Sequence, residues 1–286
     1  MDIKEKKGNF QLSKVDAYPF VAEQYMCNFR KQIFTSALVQ QMLATADYHS
    51  RDRGFGTVQL FPQGKTWVLS RFAIEINDLP QRHAQYEIET YIENLRSFLS
   101  NRNFIAKYRD GSVIAYARST WAMLDIETRG PQDILGVSGG VMQKYIAEED
   151  APTIPIEKPN RVNIDYDAPL FRSIDTYYND VDFNGHINSC RYIEHVLDLF
   201  SMDWHKKYIV KRLDVIYVAE AHCGDKLKFY CSEPSFPEST AAVSEEKSPA
   251  EQDAPLVEYK IRICKEKRGS AKEEECVRIK LLWRKF

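Results

Sequence analysis

Apolar residues recur at helical spacing in two places along the chain. FTSALVQQMLATADY, residues 34–48, sets Leu38, Val39, Met42, Leu43 and Ala46 on one stripe, and SCRYIEHVLDLF, residues 189–200, does the same with Ile193, Val196, Leu197 and Phe200. After each stripe the period changes to two. TWVLSRFAIEI, QYEIETYIENL and FIAKYRDGSVIAYARSTWAMLDI read as strands behind the first helix, with RDGS as a hairpin turn because Asp and Gly accept a positive φ. KYIVKRLDVIYV, KLKFYCS, LVEYKIRICKEK and CVRIKLLWRKF read as strands behind the second. The same order of elements therefore occurs twice, and VLSRFAIEI can be laid on IVKRLDVIY with Arg71 against Arg212.

One long apolar helix and a curved antiparallel sheet, given twice, is the pattern of an α+β tandem hot-dog fold. The predicted division is a repeat over 1–128, a linker over 129–168 and a second repeat over 169–286. The linker holds GVSGG and APTIPIEKPN, a composition that suits a connection over the surface. A Ser-, Pro-, Glu- and Ala-rich stretch around 232–255 reads as a flexible insertion between strands. The second copy supplies the partner that a single-copy hot dog gains by dimerising; a homodimer of the whole chain remains open.

Composition narrows the function classes. With 286 residues, 44% hydrophobic, 28% charged and a formal net charge of −2, the chain is long enough for a large core and carries no basic excess for nucleic acid. No apolar run approaches the roughly 20 residues that cross a bilayer. MDIKEKKGNFQLSK lacks an apolar secretory core, and the six cysteines are scattered without a C-x-x-C pair. A reducing cytoplasm with free thiols is the expected setting, with no metal site and no cofactor.

The chemistry concentrates in NDVDFNGHINSC, where Asp182, Asn184 and His186 alternate just ahead of the second helix. On a strand-like backbone they would point the same way, and Gly185 would admit a close approach. Each residue alone reads as an ordinary cap or turn. The corresponding stretch of the first half, CNFRKQIFTSALV, has Arg30, Lys31 and Gln32 instead, so the set belongs to one copy. Glu220 in VAEAHCGDKL interrupts the end of an apolar strand, and its first-half counterpart falls near Leu79-Pro80. His222 and Cys223 follow, leaving a Cys–His pairing with His186 as the alternative to a carboxylate.

DVDFNGHINSCRYIEHVLD resembles the signature D-x-N-x-H-[VI]-N-[NS]-x-x-Y of acyl-acyl carrier protein thioesterases, at Asp182, Asn184, His186, Ile187, Asn188, Ser189 and Tyr192. GFG, WVLSRFAIEI and STWAMLD resemble the same family in the first half. The resemblance implies hydrolysis of the thioester between a fatty acyl chain and acyl carrier protein, with Asp182, Asn184 and His186 in the site together with an acidic residue in the following strand. The plant enzymes read E-C-G there, whereas this chain reads E-A-H-C-G, so Glu220 and His222 compete for the assignment and Cys223 is the runner-up nucleophile.

The expected mechanism has Glu220 activate water, His186 and Asn184 hold the water and thioester, and Asp182 orient them. The first half would shape an acyl tunnel from residues such as Leu38, Met42, Trp67, Phe72 and Trp121. Acidic carrier protein would meet a basic surface among Lys206, Lys207, Lys211, Arg212, Arg51 and Arg53. Rival readings are an acyl-CoA thioesterase, a dehydratase on the same fold, and a protein that only binds acyl chains.

Overall fold

The computed structural model describes residues 12–149, 151–159, 161–237, 255–270 and 272–286. The first half runs β1 (Val15–Val21), α1 (Thr35–Asp52), α2 (Thr57–Leu60), β2 (Lys65–Ile76), β3 (Gln85–Arg96), β4 (Leu99–Tyr108) and β5 (Val113–Asp125). The second runs β6 (Leu170–Asp175), α3 (Ser189–Leu197), α4 (Met202–Lys207), β7 (Tyr208–Tyr217), β8 (Lys226–Cys231), β9 (Leu256–Glu266) and β10 (Glu273–Lys285). Most of the expected 232–255 insertion lies outside the described residues.

The strands of the described residues form one 10-stranded sheet in the order β1-β3-β4-β5-β2-β7-β10-β9-β8-β6. The order reads the same for both halves from the edge inward, and the halves join where β2 pairs antiparallel with β7. The join obeys the repeat alignment in detail. That alignment lays Ala73 on Asp214, and these two residues face each other across the pairing, as a local two-fold requires. It also lays Ser70 on Lys211, and each is the extra residue of a β-bulge, one against β5 and the other against β10.

Each bulge resets which side chains face inward. In β2 the buried positions run through Leu69 and then Phe72, Ile74 and Ile76. These pack on the apolar stripe of α1, where Leu38, Val39 and Met42 are essentially inaccessible. In the second half Ile193 and Val196 of α3 meet Leu213, Val215, Phe229 and Ile279 in the same continuous core. Burial of each such side chain contributes about 1.5–3 kcal/mol. Truncating one at the centre, Phe104→Ala for instance, would cost about 3–5 kcal/mol.

Two expectations change. The second apolar stripe is interrupted: α3 ends at Leu197, and Ser201 starts α4 by accepting the Trp204 N–H at 3.2 Å. The segment after β5 does more than cross the surface. Ile134, Val137 and Met142 are buried with Phe55, Leu60, Ile92 and Met123 in a second cluster that closes one end of the first repeat.

Candidate active site

The D-x-N-x-H stretch folds as a tight turn, not as an extended segment. Asp182 N–H donates to the His186 carbonyl at 2.8 Å, Gly185 N–H to the Asp182 carbonyl at 3.0 Å, and Val181 bridges Ile187. Gly185 takes φ +82° to close it, and a Cβ there would meet nothing within 4 Å, so the turn rather than a close approach accounts for the glycine. The Asp182 carboxylate folds back on this backbone, accepting the N–H groups of Asn184 (2.8 Å) and His186 (3.3 Å). It therefore orients its neighbours through the main chain.

The first repeat builds the same turn. Asn28 N–H donates to the Gln32 carbonyl at 2.8 Å, Lys31 N–H to the Asn28 carbonyl at 2.9 Å, and Cys27 bridges Ile33. Asn28 Oδ1 accepts the Arg30 N–H at 2.8 Å, as Asp182 Oδ1 does from Asn184. The anchors correspond too: Ile33 N–H donates to the Pro80 carbonyl and Ile187 N–H to the Ala221 carbonyl. The turn is thus common architecture, and the difference lies in what it carries. Arg30 and Gln32 stand where Asn184 and His186 stand, and Leu79 where Glu220 stands.

In the second repeat these side chains converge. His186 Nδ1 lies 3.3 Å from Glu220 Oε1, and the same carboxylate oxygen accepts from the Arg129 guanidinium. The imidazole and the guanidinium thus crowd one face of the Glu220 carboxylate. Burial holds the His186 pKa below the ordinary histidine value; Glu220 and Asp182 oppose the shift, while His222 and Arg129 add to it. The backbone at Glu220 is fixed by the buried Lys265, whose ammonium binds its carbonyl and pairs with Glu274 at 3.3 Å. Arg129 and Lys265 escaped the sequence reading: one opens the linker, the other sits in a strand far along the chain.

His222 is exposed and packs edge-on against the His186 ring with centroids 5.0 Å apart. Cys223 is exposed and does not line the cavity that His186 and Glu220 open into. That cavity holds about 590 Å³ and runs from Asp182, Asn184 and His186 past Leu43, Trp67, Leu69 and Trp121 into the first repeat. Trp67 is a lining residue, its indole N–H tied to the Phe55 carbonyl at 3.0 Å. Phe72 and Met42, expected beside it, are fully buried in the main core, as is Leu38. The bulge at Ser70 turns Phe72 toward Phe104, at 6.4 Å between ring centroids.

The expected basic surface is largely spent on internal pairs. Arg53 is buried against Asp16 at 2.7 Å, Arg212 against Asp214 at 2.9 Å, and Lys211 pairs with Glu75 at 3.3 Å. Lys206 and Lys207 lie on α4, whose carbonyls at His205 and Lys206 receive Arg30, so they flank the first-repeat turn and not the His186 mouth. Among the described residues no group of three or more His, Cys, Asp or Glu is arranged to hold a metal ion. Among the described residues no helix is long and apolar enough to cross a membrane.

The fold and the paired turns define a tandem hot-dog protein. The chain matches the acyl-ACP thioesterase N-terminal domain over residues 16–136 and the C-terminal domain over 163–285, and it belongs to the acyl-ACP thioesterase family. It is similar to an acyl-ACP thioesterase from Bacteroides thetaiotaomicron, at 34% identity and TM-score 0.78 over 94% of this chain and 98% of that one. The 12:0-ACP thioesterase from Umbellularia californica shares the fold at TM-score 0.73 and 17% identity, over 96% of this chain and 95% of that one. A chloroplastic acyl-[acyl-carrier-protein] hydrolase from Cuphea viscosissima is 24% identical over 73% of this chain and 48% of its own length. The chain thus spans about half the length of the curated plant relatives it matches.

Proposed function

We propose that this protein hydrolyses the thioester of fatty acyl-acyl carrier protein, releasing the free acid, with the chemistry confined to the second repeat. The observation that carries the reading is the His186–Glu220 pair, 3.3 Å apart at the mouth of a largely apolar cavity. Glu220 Oε1 is held by Arg129 and lies 3.3 Å from His186 Nδ1, while Oε2 makes no hydrogen bond among the described residues. A water hydrogen-bonded to Oε2 gives up one proton to it as its oxygen attacks, and the His186 imidazole, close beside the same carboxylate, orients the water and the thioester. The oxygen adds to the thioester carbon, the tetrahedral intermediate collapses with rupture of the C–S bond, and the proton passes to the departing sulfur. Water is consumed; a carboxylic acid and the carrier's thiol are formed.

The Asn184 carboxamide lines the cavity without an internal partner among the described residues and serves as donor to the carbonyl oxygen. The start of α3 adds the positive end of its dipole at the same mouth, where Ser189 and Cys190 line the wall. One of its N–H groups, that of Cys190, is already taken by the Asn188 cap at 2.8 Å. The first repeat, with Gln32 and Leu79 at the equivalent places, supplies tunnel wall and not catalysis. A cytoplasmic setting fits the six free thiols.

The test is thiol release from acyl carrier proteins loaded with chains of several lengths, run beside the corresponding acyl-CoA substrates. Release from the carrier-bound series that depends on Glu220 is expected. Faster turnover of acyl-CoA would make this an acyl-CoA thioesterase, and saturable binding without release would make it an acyl-binding protein.

A further inference from the structure

The far end of the cavity is not a hydrocarbon wall. Arg102 lines it with Ser50 and Ser100, although the arginine is only 4% exposed. Its guanidinium donates to two neutral hydroxyls, Thr90 Oγ1 at 3.3 Å and Ser50 Oγ at 3.1 Å, and pairs with no carboxylate among the described residues. The nearby cation, Arg53, already has its own carboxylate in Asp16 at 2.7 Å. Burial, with the repulsion of Arg53 added, pulls the Arg102 pKa down to about 9. A desolvated charge held only by hydroxyls is expensive, and its enclosure beside an open cavity calls for a partner that the ligand brings.

Its position sets where along a bound chain that partner would fall. Arg102 faces inward from β4, and Glu220 continues the line of β7. Between them the sheet runs β4-β5-β2-β7, three inter-strand steps or about 14 Å across the strands at roughly 4.8 Å each, to which is added the offset of Glu220 along the line of β7 from Val215, the residue level with Arg102. The stripe of α1 that lines the cavity, from Gln40 through Leu43 and Asp47 to Ser50, covers a similar distance of about 15 Å at 1.5 Å per residue.

We propose that this end of the cavity is a polar subsite in which Arg102, flanked by Ser50 and Ser100, receives an oxygen acceptor at the distal end of the acyl chain, so that the preferred substrate is a thioester whose chain ends in a carboxylate and not a methyl group. The proposal rests on the thioesterase reading above only for the nature of the chain's other end. A guanidinium matches a carboxylate geometrically with two parallel N–H donors, and a hydroxyl partly satisfies it. A methyl terminus leaves the charge buried and unanswered.

Binding of non-hydrolysable amides tests this without relying on turnover, through the fluorescence of Trp67 and Trp121 in the cavity wall. The N-ethyl amide of dodecanoic acid is compared with the mono-N-ethyl amides of dodecanedioic and 12-hydroxydodecanoic acids, and shorter and longer homologues are run alongside. The wild-type protein is expected to bind the carboxylate-ended amide roughly ten- to a hundredfold more tightly than the methyl-ended one, with the hydroxyl between them. Arg102→Met should invert the order, and Arg102→Lys should keep part of it. Equal or tighter wild-type binding of the methyl-ended amide at every length overturns the subsite and leaves Arg102 as a peg between β4 and α1. This comparison needs no variant, so a poorly folding Arg102→Met does not blunt it. If the amide preference holds but no carrier-bound thioester is cleaved, the thioesterase reading falls and the subsite stands; cleavage without the preference gives the reverse.

Discussion

Asn28 and Asp182 hold the same turn in the two repeats, each accepting at 2.8 Å the N–H of the residue two places on. An amide oxygen thus does in the first repeat what a carboxylate oxygen does in the second. Asp182→Asn should therefore keep the turn and unfold within about 0.5 kcal/mol of wild type, while Asp182→Ala should lose about 1–2 kcal/mol in denaturant melts. Equal losses for the two variants would show that the charge, and not the acceptor, holds the loop.

Glu220 faces the cavity and Cys223 does not, which separates two mechanisms for the cost of two variants. Glu220→Gln keeps the shape and removes the base, so kcat should fall about 10²- to 10⁴-fold. Cys223→Ala should leave kcat within about twofold, because a thiol in solvent outside the cavity is not placed to attack a bound carbonyl. Loss of activity in Cys223→Ala with retention in Glu220→Gln would replace the water mechanism by a covalent one.

Arg129 connects the first repeat to this chemistry. Its guanidinium sits on the Glu220 carboxylate and lowers the His186 pKa, while Glu220 and Asp182 raise it and burial sets the net direction downward. The imidazole is needed neutral, so the wild-type kcat/KM profile should hold its plateau below the ordinary histidine value of about 6.5. Removing a cation raises the pKa of a neighbouring histidine. Arg129→Gln should thus shift the acid limb to higher pH, and Asp182→Asn should shift it lower. A limb that stays put in both variants would mean that the profile reports another group.

The two helices, most strands and the equivalence of β2 with β7 were legible because apolar periodicity and the Arg71/Arg212 alignment carry that information locally; that the two equivalent strands pair with each other is a non-local fact the structure supplies. The edge strands β1 and β6 were not. Pro19 breaks the strand signal in β1, and β6 exposes Leu170 and Phe171 at adjacent positions, so neither alternates. Phe72 was misplaced because a bulge reverses the parity of every later side chain, and nothing in TWVLSRFAIEI announces one. Asn184, His186 and Glu220 could be singled out by the asymmetry between repeats, but the turn that carries the first two could not, since it is common to both copies and reads as an extended segment. That Asn28 would mimic Asp182 could not be read, since an aspartate and an asparagine look like different chemistry until their hydrogen bonds are seen. Arg102 left a signal that went unread: it puts a charge into the otherwise uncharged inward series of Ser100, Phe104 and Ala106 along β4.

His49 makes the last prediction, one of stability against pH. It is fully buried at the end of α1, with Nε2 3.2 Å from the Lys14 carbonyl and Nδ1 without a partner among the described residues. Burial first, then Arg102 and Arg53, push its pKa down to about 2. The unfolded chain protonates the same residue near pH 6.5. Below that value the unfolded state binds a proton that the folded state refuses, so stability falls with falling pH by about 1.4 kcal/mol per unit. Above it this residue contributes no slope. Substituting His49→Gln removes the titration from both states, so the gap in unfolding free energy between wild type and variant should narrow by about 2 kcal/mol from pH 7.5 to pH 5. A gap that is constant over that range would show His49 accepting its proton in the native state, and with it a first-repeat interior far wetter than the packing around Arg102 and Ser50 describes.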